Sequence, residues 1–291
     1  MIKTIKNEYL TVEINETGAE MFSVKSNKTK REYLWQGDEK YWSSRSPVLF
    51  PICGRLFEGK YIYNNKEYEM EKHGIVRSAE FTSRSLGDTA VEFTYKSSEE
   101  TKKTYPFDFV FKVKYALNKN AIEITYTVQN KDKKDMPFSF GAHPAFNVPF
   151  AAGEKFEDYY LEFPTSELDK IMLSDRGLYL GGTEKFLLKD KKLGLYHSFF
   201  DNDASFFRST AGNVKLKSKI SDSYIEVSYE DMTAVGIWHT NKSDAPFVCI
   251  EPWHGIPADD DKPDDLSTKR DTMTLKPEKE YNNTYSIRII E

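Results

Sequence analysis

Between Phe109 and Val128 an apolar residue recurs at every second position: Phe109, Phe111, Val113, Tyr115 and Leu117, then Ile122, Ile124, Tyr126 and Val128 after an Asn118-Lys119-Asn120 interruption. Neighbouring side chains in a strand point to opposite faces, so this spacing predicts two long amphipathic strands joined by a tight turn. Leu10, Val12 and Ile14, punctuated by Gly18 before Met21 to Val24, predict an opening hairpin. Tyr61-Ile62-Tyr63 and Lys66 to Met70 flank Asn64-Asn65, residues that tolerate the left-handed dihedrals of a two-residue hairpin loop. Glu80 to Arg84 and Val91, Phe93, Tyr95 flank Gly87-Asp88 and predict another hairpin. Shorter strands are expected at Tyr159 to Phe163, Phe186 to Leu188, Ser205 to Arg208, Val214 to Leu216, Tyr224 to Ser228, Ala234 to Trp238, Met273 to Leu275 and Tyr285 to Ile290. Helix signals are confined to Ser97–Thr104, with Ser98 near its cap, and Pro257–Lys269. Many short strands without a repeat or flexible linker predict an all-β fold: a large two-sheet β-sandwich, with residues 1–291 forming one domain.

Composition narrows the partners. An aromatic share of 14% favours strands, and a formal charge of -5 provides no basic footprint for nucleic acid or an anionic membrane. The start of the chain lacks the apolar core of a signal peptide, and no run is long enough to span a bilayer, so a cytoplasmic location is expected. Cys53 and Cys249 stand far apart in apolar contexts, which suits reduced, buried thiols; neither belongs to a metal-type cysteine pair.

The stretch Phe138-Ser-Phe-Gly-Ala-His-Pro-Ala-Phe-Asn147 delivers one histidine on an aromatic strand. Phe138, Phe140 and Ala142 share one face; Ser139, Gly141 and His143 share the other. Pro144 has no N–H to give and biases His143 toward extended dihedrals, which predicts an imidazole at the rim of a sheet on a fixed backbone. The same grammar of strand, polar residue and then Gly or Pro recurs at Pro51-Ile-Cys-Gly-Arg55, Lys72-His73-Gly74 and Cys249-Ile-Glu251-Pro252. Residues at strand ends can converge on one pocket. Glu251 follows Phe247-Val-Cys-Ile, a run apolar on both faces. A carboxylate there must be paired, hydrogen-bonded or functional, because an unpaired buried charge is very costly.

Taken in order, Pro51-Ile-Cys-Gly-Arg55, Lys72-His-Gly-Ile-Val-Arg77, Ser139-Phe-Gly-Ala-His-Pro-Ala-Phe-Asn147, Cys249-Ile-Glu-Pro-Trp-His-Gly255 and the closing Leu275-Lys-Pro-Glu-Lys-Glu-Tyr resemble the aldose 1-epimerase (galactose mutarotase) family. The resemblance covers essentially the whole chain, which is shorter than typical galactose mutarotases and looks more like a bacterial branch of mutarotase-related proteins. It implies a sandwich with an open sugar cleft, a small-molecule sugar as partner and no cofactor or metal. It implies His143 as the general acid on the ring oxygen and Glu251 as the base on the anomeric hydroxyl. It also implies His73 and Arg55 as sugar contacts, with an aspartate in Phe200-Asp-Asn-Asp-Ala204, Asp203 in preference to Asp201. Trp253 is a candidate stacking platform, with core packing as the alternative.

The chemistry suits these residues apart from the resemblance: opening a hemiacetal needs one proton removed and one delivered, which Glu251 and His143 can do together, starting as carboxylate and imidazolium. Three rival readings stand beside it. A hexose-6-phosphate 1-epimerase would need phosphate-binding cations, for which Arg45, Lys72 and Arg77 are candidates. A carbohydrate-binding module would need no acid/base pair. A cupin-like metal site is disfavoured because none of the five histidines forms a His-x-His run. The sequence leaves the particular sugar and the oligomeric state open.

Overall fold

The structure is a computed structural model that describes residues 1–291. The alternating run forms the antiparallel strands Phe109–Asn118 and Ala121–Asn130, paired from Asn118 opposite Ala121 to Phe109 opposite Asn130. They belong to a nine-stranded sheet that also holds Thr82–Ser85 and Ala90–Lys96 on one side and the closing strand Glu280–Ile290 on the other. A second, eight-stranded sheet has Phe247–His254 at its heart, between Ala234–Trp238 and Phe140–Ala142. The chain is therefore an all-β sandwich of two large sheets.

The inward faces of both sheets meet in a core of 62 buried residues, from Ile5 to Ile289. Phe50, directly after the short strand Val48–Leu49 of the second sheet, stacks on Phe111 of the first with ring centroids 4.5 Å apart. Burying each such ring contributes about 1.5–3 kcal/mol, and the shared aromatic layer fixes how the sheets face each other. Asn64 and Asn65 take φ of 50° and 58°, the left-handed pair expected of their hairpin. The helix Thr101–Thr104 starts where Ser98 Oγ accepts the N–H of Thr101 at 3.2 Å.

Two expectations are corrected. Pro257–Lys269 holds no helix: Ile62 donates to the Asp264 carbonyl and accepts from Leu266, while Tyr179 donates to the Ala258 carbonyl and accepts from Asp260. With three consecutive aspartates before Pro263, the segment bonds outward to its neighbours instead of closing helical turns. The stretch from Phe138 to Ala142 is also not one strand. It breaks at Ser139: Met136–Phe138 pairs with Met273–Leu275, whereas Phe140–Ala142 joins the second sheet. The alternation survives the break, because Phe138, Phe140 and Ala142 face the core and Gly141 faces Trp253.

Candidate active site

Phe247–His254 supplies the base of the site. Phe247, Cys249 and Glu251 are spaced by two and share one face, and Glu251 is only 1% exposed. Its cross-strand partner is Gly236. A Cβ there would lie 2.6 Å from Phe206, so only glycine lets that ring close over the strand. On the other side Gly141 pairs with Trp253 and Ala145 with Cys249, which brings the intervening His143 opposite Glu251. His143 Nε2 lies 3.2 Å from Glu251 Oε2. The expected rim position is thus corrected: His143 is buried, yet it and Glu251 both line the floor of a cleft of about 1130 Å³.

His73 enters from a different loop. Its N–H donates to the Gly54 carbonyl at 3.0 Å, and Gly54 N–H donates back to His73 Nδ1 at 3.2 Å. Because Nδ1 accepts, the ring proton sits on Nε2, making His73 a neutral donor. The turn is tight: His73 has φ of 72°, and a Cβ on Gly74 would lie 2.1 Å from the Phe50 carbonyl oxygen. The His73 ring lies 5.5 Å from that of His143 and 5.4 Å from that of Trp253.

Arg55 and Asp203 face each other on the cleft wall, Nη2 to Oδ2 at 3.7 Å, and both are half-exposed. Asp201 lines the cleft as well, but Asp203 is the aspartate that meets Arg55. Trp253 is 1% exposed; Phe206 lies 4.3 Å from its ring and its Nε1–H donates to the Ala142 carbonyl at 3.2 Å. The ring therefore packs as a support for His73 and Gly141, the alternative to an open stacking face.

Burial dominates the electrostatics. It pushes the Glu251 carboxyl up to about 8, against the pull of the Lys72 ammonium, and holds both His143 and His73 well below the usual imidazole range, with Lys72 adding to the depression. Burial thus favours the neutral form of each group, with one proton between Oε2 and Nε2. Carboxylate plus imidazolium is the tautomer of that state, reached by moving one proton along the 3.2 Å contact.

Sequence reading missed several parts of the site. Trp42 lies 4.9 Å from the His143 ring and Trp238 lies 5.5 Å from it, so the imidazole sits in an aromatic box. Alternation gave no hint of this, since Trp42 lies in a loop with no periodicity to read, and the strand Ala234–Trp238, though expected, does not by itself reveal that Trp238 meets His143. One cleft wall is the hairpin Glu167–Leu173 and Tyr179–Leu187, of which only Phe186 to Leu188 was expected. The second of these strands is largely exposed and lacks apolar alternation. Another wall, Tyr196 to Phe206, is anchored by a histidine pair. His239 Nδ1 bonds the Thr240 carbonyl at 2.7 Å and so carries the proton, leaving Nε2 to accept from His197 Nδ1 at 3.2 Å. Of the cations proposed for a phosphate, Lys72 lines the cleft, whereas Arg45 donates to the Phe22 carbonyl and stacks on the Phe22 ring.

Comparison with known proteins agrees with this architecture. The chain is 37% identical to Protein LacX (plasmid) of Lactococcus lactis subsp. lactis over 98% of both chains. Among solved structures it resembles a galactose mutarotase related enzyme from Lactobacillus acidophilus, with TM-score 0.94 and 35% identity over 100% of this chain and 98% of that one. It also resembles a galactose mutarotase-like protein from Lactobacillus casei, with TM-score 0.94 and 31% identity over 100% of both. The model of the family described as aldose 1-epimerase matches residues 1–288, and the chain belongs to the aldose 1-epimerase family.

Proposed function

We propose that the protein interconverts the α and β anomers of a free aldohexose by general acid/base ring opening and reclosure. The observation that carries this reading is the buried His143–Glu251 pair, 3.2 Å apart on the floor of a cleft that also holds His73, Arg55 and Asp203. A sugar whose anomeric carbon reaches the floor replaces the direct contact with two others. Glu251 takes the proton of the anomeric hydroxyl, His143 gives its proton to the ring oxygen, the ring C–O bond breaks and the aldehyde C=O forms. The pair holds one proton before and after this step, so rotation about the first carbon bond and reclosure with exchanged roles need no proton from solvent. His73 Nε2–H donates to the sugar, and Arg55 with Asp203 holds hydroxyls at the mouth. Two separate, buried free thiols accord with a reducing cytoplasmic setting. The test is polarimetry on a freshly dissolved α-anomer: a rate well above spontaneous mutarotation is expected, and a background rate would refute the reading.

A second reading rests on Lys72. It lines the cleft with no carboxylate within ion-pairing distance, and desolvation followed by repulsion from Arg55 draws its ammonium below the ordinary range. An unpartnered cation at this position suits a phosphorylated hexose. Comparing kcat/KM for free and phosphorylated hexoses decides between the two substrates.

A further inference from the structure

The acid/base chemistry makes no use of Cys249, although its thiol stands beside the reacting pair. Cys249 and Glu251 lie two residues apart on one face of one strand, and His143 meets them across the strand pairing. One donor atom from each of the three residues lies within 4.8 Å of the other two, and all three residues are buried. In a tetrahedral zinc site, bonds of about 2.0–2.3 Å put donor atoms about 3.3–3.8 Å apart. The His143–Glu251 contact is already 3.2 Å, so a small inward movement of the thiol closes the set.

We propose that His143, Cys249 and Glu251 form a binding site for a borderline-soft divalent cation, of which Zn²⁺ is the type, and that its occupation switches off the chemistry at the cleft floor. Two features support it. One sulfur, one nitrogen and one oxygen donor match the three-ligand zinc sites that leave a fourth position open, and here His143 and Glu251 turn that position toward the cleft. A thiolate and a carboxylate together neutralise the ion, which matters where Trp42, Trp238 and Phe247 make the surroundings apolar. On binding, the thiol proton and the proton shared by the pair leave to solvent, and Cys249 Sγ, His143 and Glu251 coordinate the metal. Mg²⁺ and Ca²⁺, which require oxygen ligands, do not fit.

Binding does not depend on the epimerase reading; only the inhibition does. The full-length protein, purified and kept reduced without thiol reagents, is titrated with Co²⁺ as a spectroscopic probe and with Zn²⁺ by calorimetry. One ion per chain and a thiolate-to-cobalt charge-transfer band are expected. Cys249→Ala should abolish the band and weaken Zn²⁺ binding about tenfold or more, while Cys53→Ala, which alters the other thiol, should change neither. Cys249→Ser, checked for folding by circular dichroism, repeats the test if the alanine variant is unstable. In a mutarotation assay Zn²⁺ should inhibit the parent protein, and about tenfold or more Zn²⁺ should be needed to inhibit Cys249→Ala relative to its own metal-free rate. Absence of the band, or a band and affinity that survive loss of Cys249, overturns the site. No mutarotation in the metal-free parent overturns the epimerase reading and leaves the cobalt result to decide the site on its own.

Discussion

His239 provides a test of how the cleft wall is held. Its ring is fully buried, and burial lowers its pKa from 6.5 to about 4, with the proton-bearing Nδ1 fixed to the Thr240 carbonyl and Nε2 accepting from His197. His197 opposes protonation, Asp201 favours it, and the Phe156 and Phe200 rings cover the pair. A folded-state pKa below the unfolded value means that the unfolded chain binds this proton first as pH falls. The contribution of His239 to stability is therefore intact above about 6.5 and is lost as pH falls through 6.5 toward 4. At pH 4.5 the loss from this residue amounts to about 2–3 kcal/mol, since each tenfold difference in proton affinity between the folded and unfolded chain corresponds to about 1.4 kcal/mol. Urea unfolding of the parent and of His239→Gln, measured at pH 7.5 and 4.5, isolates this contribution. The glutamine still accepts from His197 but cannot titrate, so its decline between the two pH values should be smaller than the parent's by that amount. Equal declines would refute the idea that a buried neutral imidazole anchors this wall.

Gly141→Ala places a methyl 2.6 Å from Trp253 Cδ1 and 3.0 Å from Cys53 Sγ; a loss of about 1–3 kcal/mol is expected in urea unfolding, and an unchanged midpoint would contradict the packing. His73→Asn should appear at least partly as a raised KM, because in the proposed mechanism the residue donates to the sugar and does not transfer the proton. Lys72 also acts on the charge of Glu251 and His143, so Lys72→Met alters both substrates; if the second reading holds, kcat/KM for phosphorylated hexoses should fall by about tenfold or more beyond the change seen with free hexoses, since hydrogen bonds to charged groups contribute about 1.5–3 kcal/mol.

Much of the fold was legible because its main signal is short-range. Period-two alternation from Phe109 to Val128 and the Asn64-Asn65 turn need no tertiary information, and both took the expected form. The exposed strand Tyr179–Leu187 was largely illegible, since it buries too little to require alternation and is held by pairing to Glu167–Leu173. Pro257–Lys269 misled for the converse reason: its backbone partners, Ile62 and Tyr179, are distant in sequence. At the site, motifs named His143, Glu251, His73 and Arg55, and the fold brings these together with Asp203 around one cleft. The aromatic box of Trp42 and Trp238, the proximity of Cys249 and the His197–His239 anchor arise only when strands and loops remote in sequence meet. The charge state also needed the structure, because it is the burial of both side chains that pushes the Glu251 carboxyl up and the His143 imidazole down, toward their neutral forms.

The most direct test of the central claim is the turnover number of Glu251→Gln in polarimetric mutarotation of a fresh α-anomer. Glutamine keeps the size of the side chain but cannot accept the proton of the anomeric hydroxyl. The account predicts a fall of roughly 10²–10⁴-fold with sugar affinity largely retained. A folded Glu251→Gln protein that turns over at nearly the parent rate would contradict it.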